Sequence, residues 1–209
     1  MIELLIAIAV LYVSMPFIEP LRSGPLIESI LITVVLVSGV LAIADRRRHV
    51  VVAAALAVAA LTGRWIHHFR PDLMPPELFL IAGILLVLLV IINLLRFVLA
   101  ASEVGTEVLC ASISAYLLLG FLWTLAYWLV AELIPNAFAF NGTDKSIDGF
   151  NGFYFSFITM STVGYGDITP VAKVARMLAA MEAMTGLLYV ATLIARLVAI
   201  QATPKSHEA

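Results

Sequence analysis

The chain has 209 residues, of which 63% are hydrophobic and 12% are charged, and its formal net charge is −2 at pH 7. A soluble domain is about 45–50% apolar and about 25% charged, so this composition excludes an ordinary soluble protein and indicates one that lies in a lipid bilayer. The sequence contains no basic block of the kind that binds nucleic acid, and its single cysteine excludes a disulfide within the chain.

Long apolar segments predict six transmembrane helices, because a hydrocarbon core of about 30 Å needs roughly 20 apolar residues in helical form. The first segment lacks the basic stretch of a secretory signal, so we expect it to be retained. We therefore expect an all-α polytopic membrane protein. The six segments are 2–18, 26–44, 50–69, 77–101, 108–134 and 171–201.

The chain between the fifth and sixth helices is of a different kind. Residues 135–149 are loop-like, with Asn141-Gly142 as a turn signal. Residues 150–161 are apolar and aromatic, but a stretch of about 12 residues is too short to span the bilayer. This length is typical of a re-entrant helix, which enters the membrane without crossing it and is followed there by non-helical backbone. Such backbone is tolerated at membrane depth only when it is buried in protein or lines a water-filled cavity.

The short helix is followed by the sequence TVGYGD at 162–167. Glycine at positions 164 and 166 permits backbone angles that a Cβ would penalise, so successive carbonyls can point the same way. A ring of carbonyls from four copies of such a loop can replace the water shell of a potassium ion. The motif resembles the selectivity filter of potassium channels.

Residues 108–201 resemble the pore domain of the tetrameric potassium channels, the two-helix ion-channel family, with outer helix, pore helix, filter and inner helix in that order. The resemblance implies a homotetramer, since the chain has one filter copy and a closed ring needs four. It implies potassium as the permeant ion and no other cofactor. The implied filter residues are Thr162, Val163, Gly164, Tyr165 and Gly166, and the first four would supply the ion sites.

The resemblance also implies roles for residues beside the filter. Asp167 would lie at the outer mouth, bonded to groups behind the filter, and the Tyr165 side chain would pack against the pore helices. Ser161 and Thr159 end the pore helix, whose C-terminal dipole favours a cation. Some bacterial members carry an acid on the pore helix behind the filter. The matching position here is Ile158, so we do not expect filter behaviour that depends on that acid.

Three residues of the sixth helix are candidates for gating or for lining a cavity. Gly186 is either the inner-helix hinge that the resemblance implies or a glycine that allows close helix packing. Glu182 is an intramembrane acid, and such acids usually face protein or water. It is either a cavity or gating carboxylate or a structural hydrogen-bond partner of the pore helix or the fifth helix. Tyr189, on the same helical face, is a further lining candidate.

The N-terminal region, residues 1–107, occupies the place of a voltage sensor but lacks its repeat of basic residues at every third position. The fourth helix offers Arg96 alone, so we expect no strong voltage gating. Residues 202–209 read as a short cytoplasmic tail that is too small for a ligand-binding domain. Gating by a separate regulatory subunit is left open.

Positive charges predict the orientation of the chain, because Lys and Arg are enriched in short cytoplasmic loops. The run 46–48, three arginines between the second and third helices, predicts a cytoplasmic loop. Arg96 and Lys205 agree with this orientation, whereas Arg64 and Arg70 disagree. Six spans then place both termini in the cytoplasm and the filter loop outside a cell membrane.

Passive potassium conduction is the leading functional interpretation. A weakly selective cation channel on the same architecture is one alternative, since the filter residues alone do not exclude sodium. A polytopic transporter or enzyme with an accidental motif is another. It would show acids or histidines clustered at one membrane face, or inverted repeats of broken helices, and the sequence shows neither. We therefore expect a channel and no enzyme.

Overall fold

A computed structural model describes residues 1–42, 47–142 and 146–202 of the chain. All the predicted helices are found, and among the helix ends predicted within the described residues the largest displacement is three residues, at the start of the third helix (50 predicted, 47 observed). The predicted end of the second helix, at residue 44, lies outside the described residues. The α-helices of the described residues are α1 (Ile2–Ile18), α2 (Gly24–Ala42), α3 (Arg47–Phe69), α4 (Pro76–Ala100), α5 (Thr106–Leu133), α6 (Gly149–Met160) and α7 (Lys173–Ala202).

Five of the described helices, α2, α3, α4, α5 and α7, are long and apolar enough to cross a membrane. The first helix, α1, is apolar but has 17 residues. At 1.5 Å per residue its length is about 26 Å, slightly less than a hydrocarbon core of about 30 Å. The described part of the chain is therefore mainly helical and multi-pass in character, as expected, whereas the sixth span stays a prediction.

Two short strands depart from the all-α prediction. Strand β1 (Phe138–Phe140) pairs antiparallel with β2 (Ile168–Pro170), so that Phe140 lies opposite Ile168. Strand β1 falls in the region 135–149 that the sequence predicts as a loop. Aromatic and β-branched residues favour strands, but three residues are too few to give a pattern of period two. The pairing joins the chain before α6 to the chain that follows the TVGYGD loop.

The fifth helix is the centre of the single chain. It packs against α4 on one side and against α1, α6 and α7 on the others. Of the residues in its apolar stretch, 61% are buried, compared with 6% of those in the apolar stretch of α7. Large side chains such as Leu118, Phe121 and Tyr127 lie in the core that this helix organises. The last helix therefore leaves most of its surface uncovered within one chain.

The contact between α5 and α6 depends on close approach at a glycine. The Trp128 indole of α5 donates a hydrogen bond to Ile147 O, at 2.9 Å, just before α6 begins. Gly152 of α6 lies against this pair, and a Cβ placed there would stand 2.8 Å from Ile147 O and would also meet Trp128 Nε1. The absence of a side chain at Gly152 thus lets α6 rest on α5.

We expect Gly152→Ala to destabilise the fold by about 1–3 kcal/mol, because the added methyl group overlaps both the Trp128 indole ring and the Ile147 carbonyl that this ring bonds. The measurement is the denaturant midpoint of the detergent-solubilised protein. Gly105→Ala is the matched control, since no atom lies within 4 Å of a Cβ at Gly105. Equal midpoints for the two variants would contradict this account of the packing.

Candidate functional site

The TVGYGD loop begins where α6 ends, and hydrogen bonds to α6 fix its first peptide groups. The Thr162 N–H donates to Thr159 O at 2.9 Å, and the N–H groups of Val163 and Gly164 donate to Ile158 O at 2.8 and 3.0 Å. In a trans peptide the N–H and C=O of one plane point in opposite directions. The carbonyls of Thr162 and Val163 are therefore directed away from α6.

The backbone of the loop alternates in handedness. The φ angles of Thr162, Gly164 and Gly166 are 60°, 53° and 79°, whereas Val163 and Tyr165 have negative φ. Alternation of this kind turns successive carbonyls to one side, which is the arrangement that a row of carbonyl ligands needs. No atom lies within 4 Å of a Cβ at Gly164 or Gly166, so glycine is required there by the backbone angle and not by crowding.

Asn141, the residue after β1, fixes the C-terminal end of the loop. Its Nδ2 donates to Gly166 O at 3.0 Å, and its backbone N–H donates to Asp167 O at 2.8 Å. The carbonyl of Gly166 is thus engaged by Asn141, whereas those of Thr162 and Val163 are directed away from α6. Sequence reasoning treated Asn141 as a turn residue and missed this contact, because the pairing of β1 with β2 that creates it leaves almost no sequence signal.

Asp167 is held by a side chain of α6. The Tyr154 hydroxyl donates to Asp167 Oδ2 at 2.7 Å, and the Tyr154 ring lies parallel to that of Tyr165, with centroids 6.5 Å apart. The hydrogen bond from Tyr154 lowers the pKa of Asp167 below its ordinary value. The same bond raises the pKa of Tyr154 to about 12. The carboxylate therefore stays ionised at neutral pH, and Tyr154 is a second residue that the sequence did not single out.

The two residues predicted to end the short helix shape its last turn. The Ser161 hydroxyl donates to Phe157 O at 2.6 Å. The carbonyl of Thr159 accepts the Thr162 N–H. Both contacts occupy carbonyls at the C-terminus of α6, the end whose partial negative charge favours a nearby cation.

Glu182 of α7 is completely buried and joins three helices. Its carboxyl group bonds the Tyr127 hydroxyl of α5 and lies 2.5 Å from the Ser156 hydroxyl of α6. Ser156 Oγ also lies 2.8 Å from Gly120 O. Of the two interpretations of Glu182, this placement favours the structural one, because the side chain is enclosed within one chain and does not face open space.

The two other candidates on α7 lie on the same face as Glu182. A Cβ at Gly186 would stand 2.5 Å from Met160 O, at the end of α6, and α7 continues as a helix through this residue. Close packing is therefore favoured over a hinge. The Tyr189 hydroxyl donates to Ser112 O of α5 at 2.6 Å. Tyr189 thus bonds α5 through its hydroxyl, and it also lines a cavity between α4, α5 and α7.

Comparisons with known proteins relate part of this chain to ion channels. Residues 104–201 match a family model described as an ion channel. The inward rectifier potassium channel Kirbac3.1 of Paramagnetospirillum magnetotacticum is 37% identical over 73 residues, which cover 35% of this chain and 22% of that protein. Two pore potassium channel b of Oryza sativa subsp. japonica is 34% identical over 82 residues, which cover 39% of this chain and 21% of that protein.

The chain thus spans about a fifth of the length of these two curated relatives. No solved structure matches the chain significantly.

We expect Tyr154→Phe to raise the pKa of Asp167 toward its ordinary value of 3.8, because the variant removes the hydrogen bond that stabilises the carboxylate. In the wild type, the hydrogen bond from Tyr154 to ionised Asp167 contributes stability to the fold above pH 3.8. This contribution is lost as the pH falls through the lowered pKa of Asp167. The measurement is the carboxyl carbon chemical shift of Asp167 against pH. An unchanged titration curve would contradict the contact.

We expect Glu182→Gln to preserve most of the stability that Glu182→Ala loses. A glutamine can accept from the Tyr127 hydroxyl and donate to the Ser156 hydroxyl, which then donates to Gly120 O. Alanine leaves the buried Tyr127 hydroxyl without its partner, at about 1–3 kcal/mol, whereas Ser156 can still donate to Gly120 O. The denaturant midpoints of both variants and the wild type test this. If glutamine is as destabilising as alanine, the site requires a carboxylate rather than a neutral hydrogen-bonding group.

Proposed function

Because residues 104–201 match a family model described as an ion channel, we propose that this chain conducts potassium ions passively through a pore built from four copies. The observation that carries the proposal is the backbone of the TVGYGD loop. Alternating φ angles and hydrogen bonds to Ile158 O direct consecutive carbonyls to one side. A row of such carbonyls is the ligand set that replaces the hydration shell of potassium.

In the proposed pore, the carbonyls of Thr162, Val163, Gly164 and Tyr165 coordinate potassium. The Gly166 carbonyl, engaged by Asn141, closes the outer end of the filter. Ionised Asp167 adds negative charge near the outer mouth, where it attracts cations from solution. Ions pass in file, and repulsion between ions at neighbouring sites helps each of them to leave.

The exposure of the loop supports a homotetramer. Every residue of 161–167 is exposed in the single chain, and the exposed fractions of Val163 and Tyr165 are 52% and 72%. Lipid could cover the apolar surface of α7, but it cannot satisfy bare carbonyls at membrane depth. Identical copies arranged around one axis would enclose these carbonyls and provide the complete ring.

One contact between helix ends agrees with the proposed topology of six spans with both termini in the cytoplasm. Arg196, near the end of α7, donates to Leu99 O and Ala101 O, each at 2.9 Å, so α4 and α7 end on the same side. Arg64 lies on the side that this orientation places outside, against the expected distribution of positive charges. Its ion pair with Glu28, at 2.9 Å, reduces this disagreement, because the pair anchors Arg64 within the helix bundle.

Two charges in the orientation argument, Arg46 and Lys205, lie outside the described residues, as do residues 203–209 of the predicted tail. The orientation is therefore part of the proposal. The same holds for weak voltage dependence, which rests on Arg96 as the basic residue of α4. A separate regulatory subunit, if one exists, would act on a pore that lacks a repeated charge sensor in this helix.

We expect liposomes that contain the protein to pass potassium over sodium by about tenfold or more, equivalent to ~1.4 kcal/mol of discrimination. Gly164→Ala should abolish the potassium flux, because a Cβ at φ 53° strains the filter backbone. Gly105→Ala is the control, since it lies outside the loop in open space.

Sodium flux equal to potassium flux would favour a weakly selective cation channel on the same architecture. Potassium flux that survives Gly164→Ala would contradict the filter assignment. Native mass measurement of each variant in detergent establishes whether four chains remain together, so that loss of flux is not confused with loss of assembly.

A further inference from the structure

The N-terminal helix α1 lies outside the matched residues 104–201, yet it packs directly on α6, the pore helix of the proposed channel. The ring of Tyr12 makes edge-to-face contacts with two aromatic rings of α6. Its centroid lies 5.2 Å from that of Phe153 and 4.6 Å from that of Phe157. Offset and edge-to-face aromatic pairs of this kind add orientation-dependent stability to the burial of apolar surface.

Tyr12 also fixes α1 to the outer helix of the pore. Its hydroxyl group donates to Leu117 O of α5 at 2.9 Å. One side chain of α1 thus connects α5 and α6, and its hydrogen bond gives the ring a defined position along α5. The rings of Phe121 and Phe153 stack in parallel beside this contact, with centroids 5.6 Å apart.

A second contact lies where α1 ends and α6 begins. Glu19, the residue after α1, places its carboxylate beside the first residue of α6, since a Cβ at Gly149 would stand 3.1 Å from Glu19 Oε1. The first N–H groups of a helix lack intrahelical partners, and negative charge is favourable there. The end of α1 therefore sits at the start of α6.

Phe157 connects the contacts of α1 to the filter. Its ring lies between Tyr12 and Gly120 of α5, where a Cβ would stand 2.7 Å from Phe157 Cζ. Its carbonyl accepts the Ser161 N–H at 3.0 Å. The next residue, Ile158, is the acceptor that orients the peptide groups of Val163 and Gly164. A shift of Phe157 therefore moves the acceptor that sets the carbonyl directions of the filter.

We propose that α1 is a brace for the pore helix, and that Tyr12 and Glu19 are positioning residues for ion selection. The proposal rests on the proposed function, because it assigns part of the N-terminal region a role in the same filter. In this arrangement α1 holds α6 at its start through Glu19 and at its middle through Tyr12. The brace acts by packing and does not require the region to sense voltage.

The test compares Tyr12→Leu, Tyr12→Phe and the control Val13→Ala, which changes a side chain of α1 that is 70% exposed. Hydrogen exchange of the amides in residues 153–164 reports how firmly α6 and the filter are held. The potassium-to-sodium permeability ratio reports selection. Tyr12→Leu should speed exchange and lower the ratio by about fivefold or more, the smaller end of ordinary coupling effects. Tyr12→Phe keeps the ring and should have a smaller effect, and Val13→Ala should have none.

Faster exchange without a change in the permeability ratio would overturn the proposal, as would equal effects of Tyr12→Leu and Val13→Ala. If Tyr12→Leu does not assemble, the double variant Tyr12→Phe/Glu19→Gln retains the ring but removes the Tyr12 hydrogen bond and the negative charge of Glu19, and it must then lower the ratio. A wild type without potassium flux would overturn the proposed function instead, and hydrogen exchange alone would decide whether α1 braces α6.

Discussion

The rest of the site depends on the Ile158 carbonyl, which accepts two hydrogen bonds from the loop. The N–H groups of Val163 and Gly164 both bond this carbonyl, so the peptide planes that follow α6 are fixed in direction. Without this anchor, the glycine-rich backbone would have many alternative conformations, because glycine loses more freedom on ordering than other residues. The end of one short helix therefore determines which way the carbonyls of the loop point.

The surrounding structure holds that short helix on several sides. Gly152 lets it rest on α5, Glu182 ties it to α7 through Ser156, and Tyr12 of α1 covers its aromatic face. Beyond the loop, Asn141 and the paired strands fix the other end. A helix of 12 residues has little stability of its own, so its position reflects these neighbours rather than its own sequence.

For Glu182 and Gly186, the residue type alone left two interpretations open, and contacts with distant residues distinguish them. An acid inside a membrane helix can serve a cavity or a protein network, and Glu182 is distinguished only by its neighbours Tyr127 and Ser156, which lie 55 and 26 residues away. Gly186 could be a hinge or a packing site, and its proximity to Met160 O favours packing. The same face of α7 carries both residues, and it is turned toward α5 and α6.

The sequence by itself determined the positions of the helices and the backbone requirement of the loop at 162–167. Apolar runs of membrane length define helices directly, because a bilayer imposes one length scale on all of them, and the order of residues 162–167 carries the backbone requirement for glycine. Only the tertiary structure decided what holds the loop in place. Asn141, Tyr154, Ser156 and Tyr12 act through contacts between distant parts of the chain, and such contacts have no period or motif that a linear pattern can reveal. The short strands were missed for the same reason, since three paired residues become a strand only when the partner lies beside them.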